Sequence, residues 1–256
     1  MTLSQEELLH LVRTQERIRC EKIIQNFGPV SYTHLTSNRR SPATTEQTRK
    51  ETNHARRGRG SLMRIVTIDF ETYYDSKIKL GFKHQTTEEY IRDPRFEVIG
   101  VGAQEQSDDP VWCTGTHTQI KEFLDSLKLD EAAVLCHNTL FDGAILSWLF
   151  GIKPQMLFDT LCMARALHGV EAGGSLAALA KRYDLGVKGD EVIAAEGKRR
   201  QDFTKQELDQ YGRYCMNDVS LTFQLFIQFN RMNRFKDDEY RLIDMTLRMF
   251  TEPQLE

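Results

Sequence analysis

Apolar positions change their spacing along the chain, and those changes mark out the elements. Residues 65–72 read IVTIDFET, a run rich in β-branched side chains that suits a buried strand. Residues 96–104 (FEVIGVGAQ) and 110–114 read as two further strands, joined as a hairpin by the acidic turn Ser107–Asp108–Asp109. Residues 132–136 make a fourth buried strand. Elsewhere the spacing widens to three and four, as in an amphipathic helix. Residues 118–129 show it through Ile120, Phe123, Leu124 and Leu127, and helices are also expected at 143–150, 160–168 and 175–183. Asp159 stands where the N-cap of the second of these would be. A long helix is expected over 205–232, opened by a Thr204/Glu207 capping box, and a last one over 237–250. Residues 82–93 read as a helix or ordered loop closed by Pro94, and 186–200 as a polar surface loop.

The first 62 residues do not share this texture. Ser4 and Glu7 open an amphipathic helix over 4–27, after which the stretch from Ser31 to Ser61 is polar and basic with almost nothing apolar. The run VSYTHL at 30–35 resembles a translated transposon end of the kind used in sequencing-library preparation. On that resemblance residues 1–62 are expected to be an assembly artefact, with the true start at Met63.

Composition narrows the class. A 40% hydrophobic and 28% charged chain of 256 residues is that of a globular protein with ample material for a core. No apolar run approaches the roughly 18 residues of a membrane span, so a cytoplasmic setting without a membrane partner is expected. The five cysteines form no C-x-x-C pair and are expected as reduced thiols. Residues 1–62 hold 11 Lys+Arg and 6 Asp+Glu, a net of +5. The remainder then holds 34 − 11 = 23 basic and 37 − 6 = 31 acidic residues, a net of −8. Such a body offers nucleic acid no broadly basic groove, so cations bridging carboxylate and phosphate would have to supply the attraction.

Three acidic motifs supply the chemistry. Asp69 and Glu71 are two apart on a strand, so both side chains leave the same face. Side by side they repel unless a cation sits between them, and hard divalent ions take such oxygen ligands. Asp142 follows the fourth strand at the turn into a helix, where ligands gather in open α/β sheets. Tyr214 and Asp218, four apart, stack on one side of the long helix.

With Asp69-x-Glu71, Asn138-x-x-Phe141-Asp142 and Tyr214-x-x-x-Asp218 in that order, residues 63 to about 233 resemble the DEDD 3′-to-5′ exonucleases. Arg213 stands five before Asp218, where the histidine branch has its His, and Tyr214 stands four before it, as in the tyrosine branch. IDFETYYDS, HNTLFD, FDTLCMARAL and RLIDMTLRMFTEP look most like the proofreading domain of phage and bacterial family A DNA polymerases. The resemblance implies an α/β, ribonuclease-H-like fold with a central mixed sheet flanked by helices. It implies two divalent cations, Mg²⁺ or Mn²⁺, held by Asp69, Glu71, Asp142 and Asp218, with Tyr214 orienting the attacking water. Substrate contacts are expected at Asn138, Phe141 and Thr72, although Asn138 either binds the terminal nucleotide or holds its own turn. Tyr211, two turns from Asp218, is read as packing, His137 as structural and Asp159 as a cap. The implied partner is a single-stranded or frayed DNA 3′ end, together with a polymerase domain if one is encoded downstream, and residues 236–256 would begin that region. Two alternatives stand beside it: a ribonuclease-D-like RNA exonuclease, and a non-catalytic DNA-binding module working through the basic arm at 39–59.

Overall fold

The computed structural model describes residues 63–186, 195–232 and 234–252. The expectations for residues 1–62, and for the middle of the 186–200 loop, lie outside the described residues. Five strands form one mixed sheet in the order β3-β2-β1-β4-β5. They are β1 (Arg64–Thr72), β2 (Val98–Glu105), β3 (Val111–Thr114), β4 (Ala132–Cys136) and β5 (Met156–Asp159). β1 lies at the centre, antiparallel to β2 and parallel to β4, and the β2–β3 hairpin forms one edge. The helices are α1 (Thr87–Arg92), α2 (His117–Ser126), α3 (Thr139–Phe150), α4 (Thr160–His168), α5 (Leu176–Tyr183), α6 (Lys205–Arg231) and α7 (Asp237–Thr251). The α/β, ribonuclease-H-like expectation holds.

Two apolar clusters cover the faces of the sheet. One gathers Val66, Ile68, Phe70, Val101, Val134, Ile145 and Phe150, and the other Ile65, Leu135, Phe158, Leu179, Phe226 and Phe229. The α6 helix crosses the sheet closely because β2 presents a glycine, Gly102, beneath it. A Cβ on Gly102 would stand 2.8 Å from Cys215 Sγ, inside any real contact. Gly212 makes the matching concession on the helix, since a Cβ there would lie 2.4 Å from the Trp112 ring.

The structure departs from the sequence reading at α3 and at β5. α3 starts at Thr139 rather than 143, so Asp142 belongs to its first turn rather than to the turn before it. Its N-cap, Asn138, sits at φ 74° and makes no capping bond of its own. The amides of Asn138 and Thr139 instead donate to the Asp159 carboxylate, 21 and 20 residues further on, a cap that no local pattern can announce. β5 was not expected, because four residues after Pro154 are too few for periodicity to show. α7 packs on the outer edge of the sheet. Buried Asp244 accepts the Leu157 amide of edge strand β5 at 2.7 Å and is held by Arg248, which also donates to Pro154 O. Through Glu252, that stretch is part of the same body.

Candidate active site

β1 outruns its parallel neighbour. β4 pairs with it only from Arg64 to Thr67, so Asp69–Glu71 projects past the β4 end. There the Phe70 amide donates to Asp142 Oδ1 at 3.0 Å, bringing α3 against the strand between the two carboxylates. Phe70 itself turns away, 5% exposed and stacked on Phe150. Ligand atoms of Asp69, Glu71 and Cys215 lie within 4.8 Å of one another. Asp218 follows Cys215 by three residues on α6 and is buried, as is Asp142.

Asp142 is buried among other acidic groups, with Asp69 and Asp159 both close enough to act on its charge. Burial, then the charge of Asp69, pushes the Asp142 carboxyl well above its usual range. A buried carboxyl raised in this way, beside the Asp69 carboxylate, fits a site for divalent cations, which would relieve the repulsion. Asp69, Glu71, Asp142 and Asp218 are the residues available to hold them.

Tyr214 is half-buried on α6. Tyr211 was expected only to pack, and that reading is corrected: its hydroxyl donates to the Glu71 carboxylate, although its ring does stack on Phe203. Burial, followed by the Glu71 charge, holds that hydroxyl protonated far above its ordinary value. Cys215, not anticipated at all, donates through Sγ to Asp69 O at 3.3 Å and to Asp69 Oδ2 at 3.6 Å. Burial, and then Asp69 and Glu71, keep it a thiol. The signal for both residues was in the spacing. Positions 211, 215 and 218 are i, i+4 and i+7, which keeps all three on one face of a helix.

The expected substrate contacts divide. Asn138 is exposed and stays available. Thr72 does not: it shares the Phe70 side of β1, and its hydroxyl is bonded to Tyr90 at 2.9 Å inside the core. Phe141 is also taken up in packing, 7% exposed between Tyr90 and Phe82. His137 bonds Thr160 and Gly174 O through its two ring nitrogens, and Asp159 caps α4, both as expected.

The family model described as 3′-5′ exonuclease matches residues 86–233, more than half of the chain. This chain belongs to that exonuclease family. The match spans Asn138, Asp142, Tyr214 and Asp218 and begins after β1, so Asp69 and Glu71 join the site through the fold. No curated protein matches the chain. Among solved structures, Brucella melitensis NrnC is 16% identical, with a TM-score of 0.54 over 73% of this chain and 83% of its own. NrnC has also been solved with bound Mg²⁺. Trypanosoma brucei RNase D in complex with RNA U12 is 18% identical, with a TM-score of 0.53 over 79% of this chain and 67% of its own. The catalytic core of Trypanosoma brucei RRP6 is 12% identical, with a TM-score of 0.51 over 75% of this chain and 49% of its own. At these identities the likeness is one of fold. Among the described residues no helix is long and apolar enough to cross a membrane.

Proposed function

We propose that this exonuclease uses two divalent cations, Mg²⁺ or Mn²⁺, to remove 5′-mononucleotides from single-stranded or frayed DNA 3′ ends, as the proofreading portion of a phage-type polymerase. The observation that carries the reading is the bond from the Phe70 amide to Asp142, which joins the half-buried Asp69/Glu71 pair to a fully buried carboxylate.

Asp69, Glu71, Asp142 and Asp218 would hold the cations. When bound, these supply an acidified water and positive charge at the phosphoryl oxygens. The chain's own residues do the rest. The Tyr214 hydroxyl orients the attacking water beside Glu71 and need not act as base, its ordinary pKa lying near 10. The water oxygen bonds to the terminal phosphorus while the P–O3′ bond breaks. One water proton is released, the leaving 3′-oxygen takes up a proton, and a nucleoside 5′-monophosphate departs. An unpaired end is favoured because lifting the terminal base from a duplex costs a few kcal/mol.

A second reading keeps the chemistry and changes the sugar. RNase D bound to RNA U12 shares this fold, which favours RNA 3′ ends. One experiment tests both: 5′-labelled DNA and RNA of one sequence, single-stranded and duplex, incubated with the protein in Mn²⁺ or EDTA. Stepwise shortening of single-stranded DNA that EDTA abolishes is expected. Faster shortening of RNA moves the assignment to the second reading, and no shortening of either strand refutes both.

A further inference from the structure

Two neighbouring carboxylates that await cations need something to aim them, and α6 carries two donors spaced for that task. We infer that Tyr211 and Cys215 are positioning residues that hold Glu71 and Asp69 in their ligating orientation, Tyr211 through its hydroxyl and Cys215 through its thiol. The inference rests on the proposed exonuclease reading for what those carboxylates hold.

Register makes the pairing possible. Two residues of strand span about 6.8 Å and four residues of helix about 6 Å. α6 runs antiparallel to β1, so Tyr211 meets Glu71 where Cys215 meets Asp69. Both donors are buried, at 5% and 0% exposure, so water competes little for them. The Tyr211 ring is fixed from two sides. It stacks on Phe203 at 5.6 Å and 21°, and Trp112 lies against it at 6.3 Å and 49°. Gly212 is what admits Trp112 to that position. Ring contacts on two sides restrict how far that hydroxyl can swing away from Glu71. Outer partners of this kind typically change metal affinity or activity by about 10- to 100-fold when removed. Tyr214 stands one turn further along the same helix and is half-buried.

The test is Mn²⁺ binding to the purified full chain without nucleic acid, followed by isothermal titration calorimetry. Tyr211→Phe keeps the ring and removes only the donor, and its Mn²⁺ Kd should rise about 10-fold or more. On a single strand its kcat should fall at low Mn²⁺ and recover partly as Mn²⁺ is raised, with KM for the strand unchanged. A Kd within about twofold of wild type overturns the inference. Should Tyr211→Phe not fold, Cys215→Ser against Cys215→Ala decides. Ser retains a donor and should bind Mn²⁺ more tightly than Ala, whereas equal affinities overturn the inference. If the wild type degrades no nucleic acid yet Tyr211→Phe weakens Mn²⁺ binding, the exonuclease reading fails and the positioning role stands. If the wild type is active and Tyr211→Phe binds Mn²⁺ normally, the positioning role alone fails.

Discussion

The amide of Phe70 donates to Oδ1 of Asp142 across 3.0 Å, a bond between residues 72 apart in sequence. It places a carboxyl that burial and Asp69 push well above the usual range against the strand that carries Asp69. In the absence of cations this arrangement stores unfavourable charge.

That stored charge predicts a pH slope. The folded-state pKa of Asp142 is raised above its unfolded value. Its contribution is therefore fully present below the ordinary carboxylate range and is lost as pH rises through the raised value. In EDTA the thermal midpoint should fall as pH rises toward neutrality. Asp142→Asn should flatten that slope and stabilise the chelated protein by about 0.5–2 kcal/mol while abolishing hydrolysis. Melting curves across pH, with and without Mn²⁺, provide the check, and an unchanged slope in the variant would contradict the assignment.

The start of α6 sets where Asp218 and Tyr214 stand. Thr204 Oγ1 accepts the Glu207 amide, and the Glu207 carboxylate accepts the Thr204 amide at 2.7 Å. Thr204→Ala should cost about 1 kcal/mol in urea unfolding. Lys198 and then Thr204 hold Glu207 down at about 2. Its folded value lies below the unfolded one, so its contribution is present above the ordinary Glu value and lost as pH falls toward 2. Glu207→Gln should show a shallower acid limb in the stability curve than wild type.

Residues 1–62 should be unnecessary to the fold and to hydrolysis, because every carboxylate and both tyrosines of the site lie after Met63. A chain beginning at Met63 should melt cooperatively and shorten a labelled strand at least as fast as the whole chain. Insolubility or inactivity of the shortened chain alone would refute this.

Sequence made the site legible where local patterns carry it. β1 announces itself through β-branched residues, and the α6 cap through Thr204 and Glu207. Hidden were the features fixed by distant partners. The cap of α3 comes from Asp159, β5 is too short for a period to appear, and Asp244 acts on β5 across 87 residues. Thr72 and Phe141 show the converse. Both adjoin the acidic motifs in sequence, yet strand alternation turns Thr72 inward and Tyr90 takes up both side chains. Tyr211 lies two turns from Asp218, and two turns bring a helical residue back to the same face, so its place at the site follows from spacing alone.

The most direct measurement is the rate at which a 5′-labelled single strand is shortened at saturating Mn²⁺ by wild type, Asp69→Ala, Asp218→Ala and Tyr214→Phe. Wild type should release 5′-monophosphates from the 3′ end, and either Asp change should abolish nearly all of it. Tyr214→Phe removes one positioning bond to the attacking water and should cost about ten- to a thousand-fold. Asp69→Ala working at the wild-type rate would contradict the site at its centre.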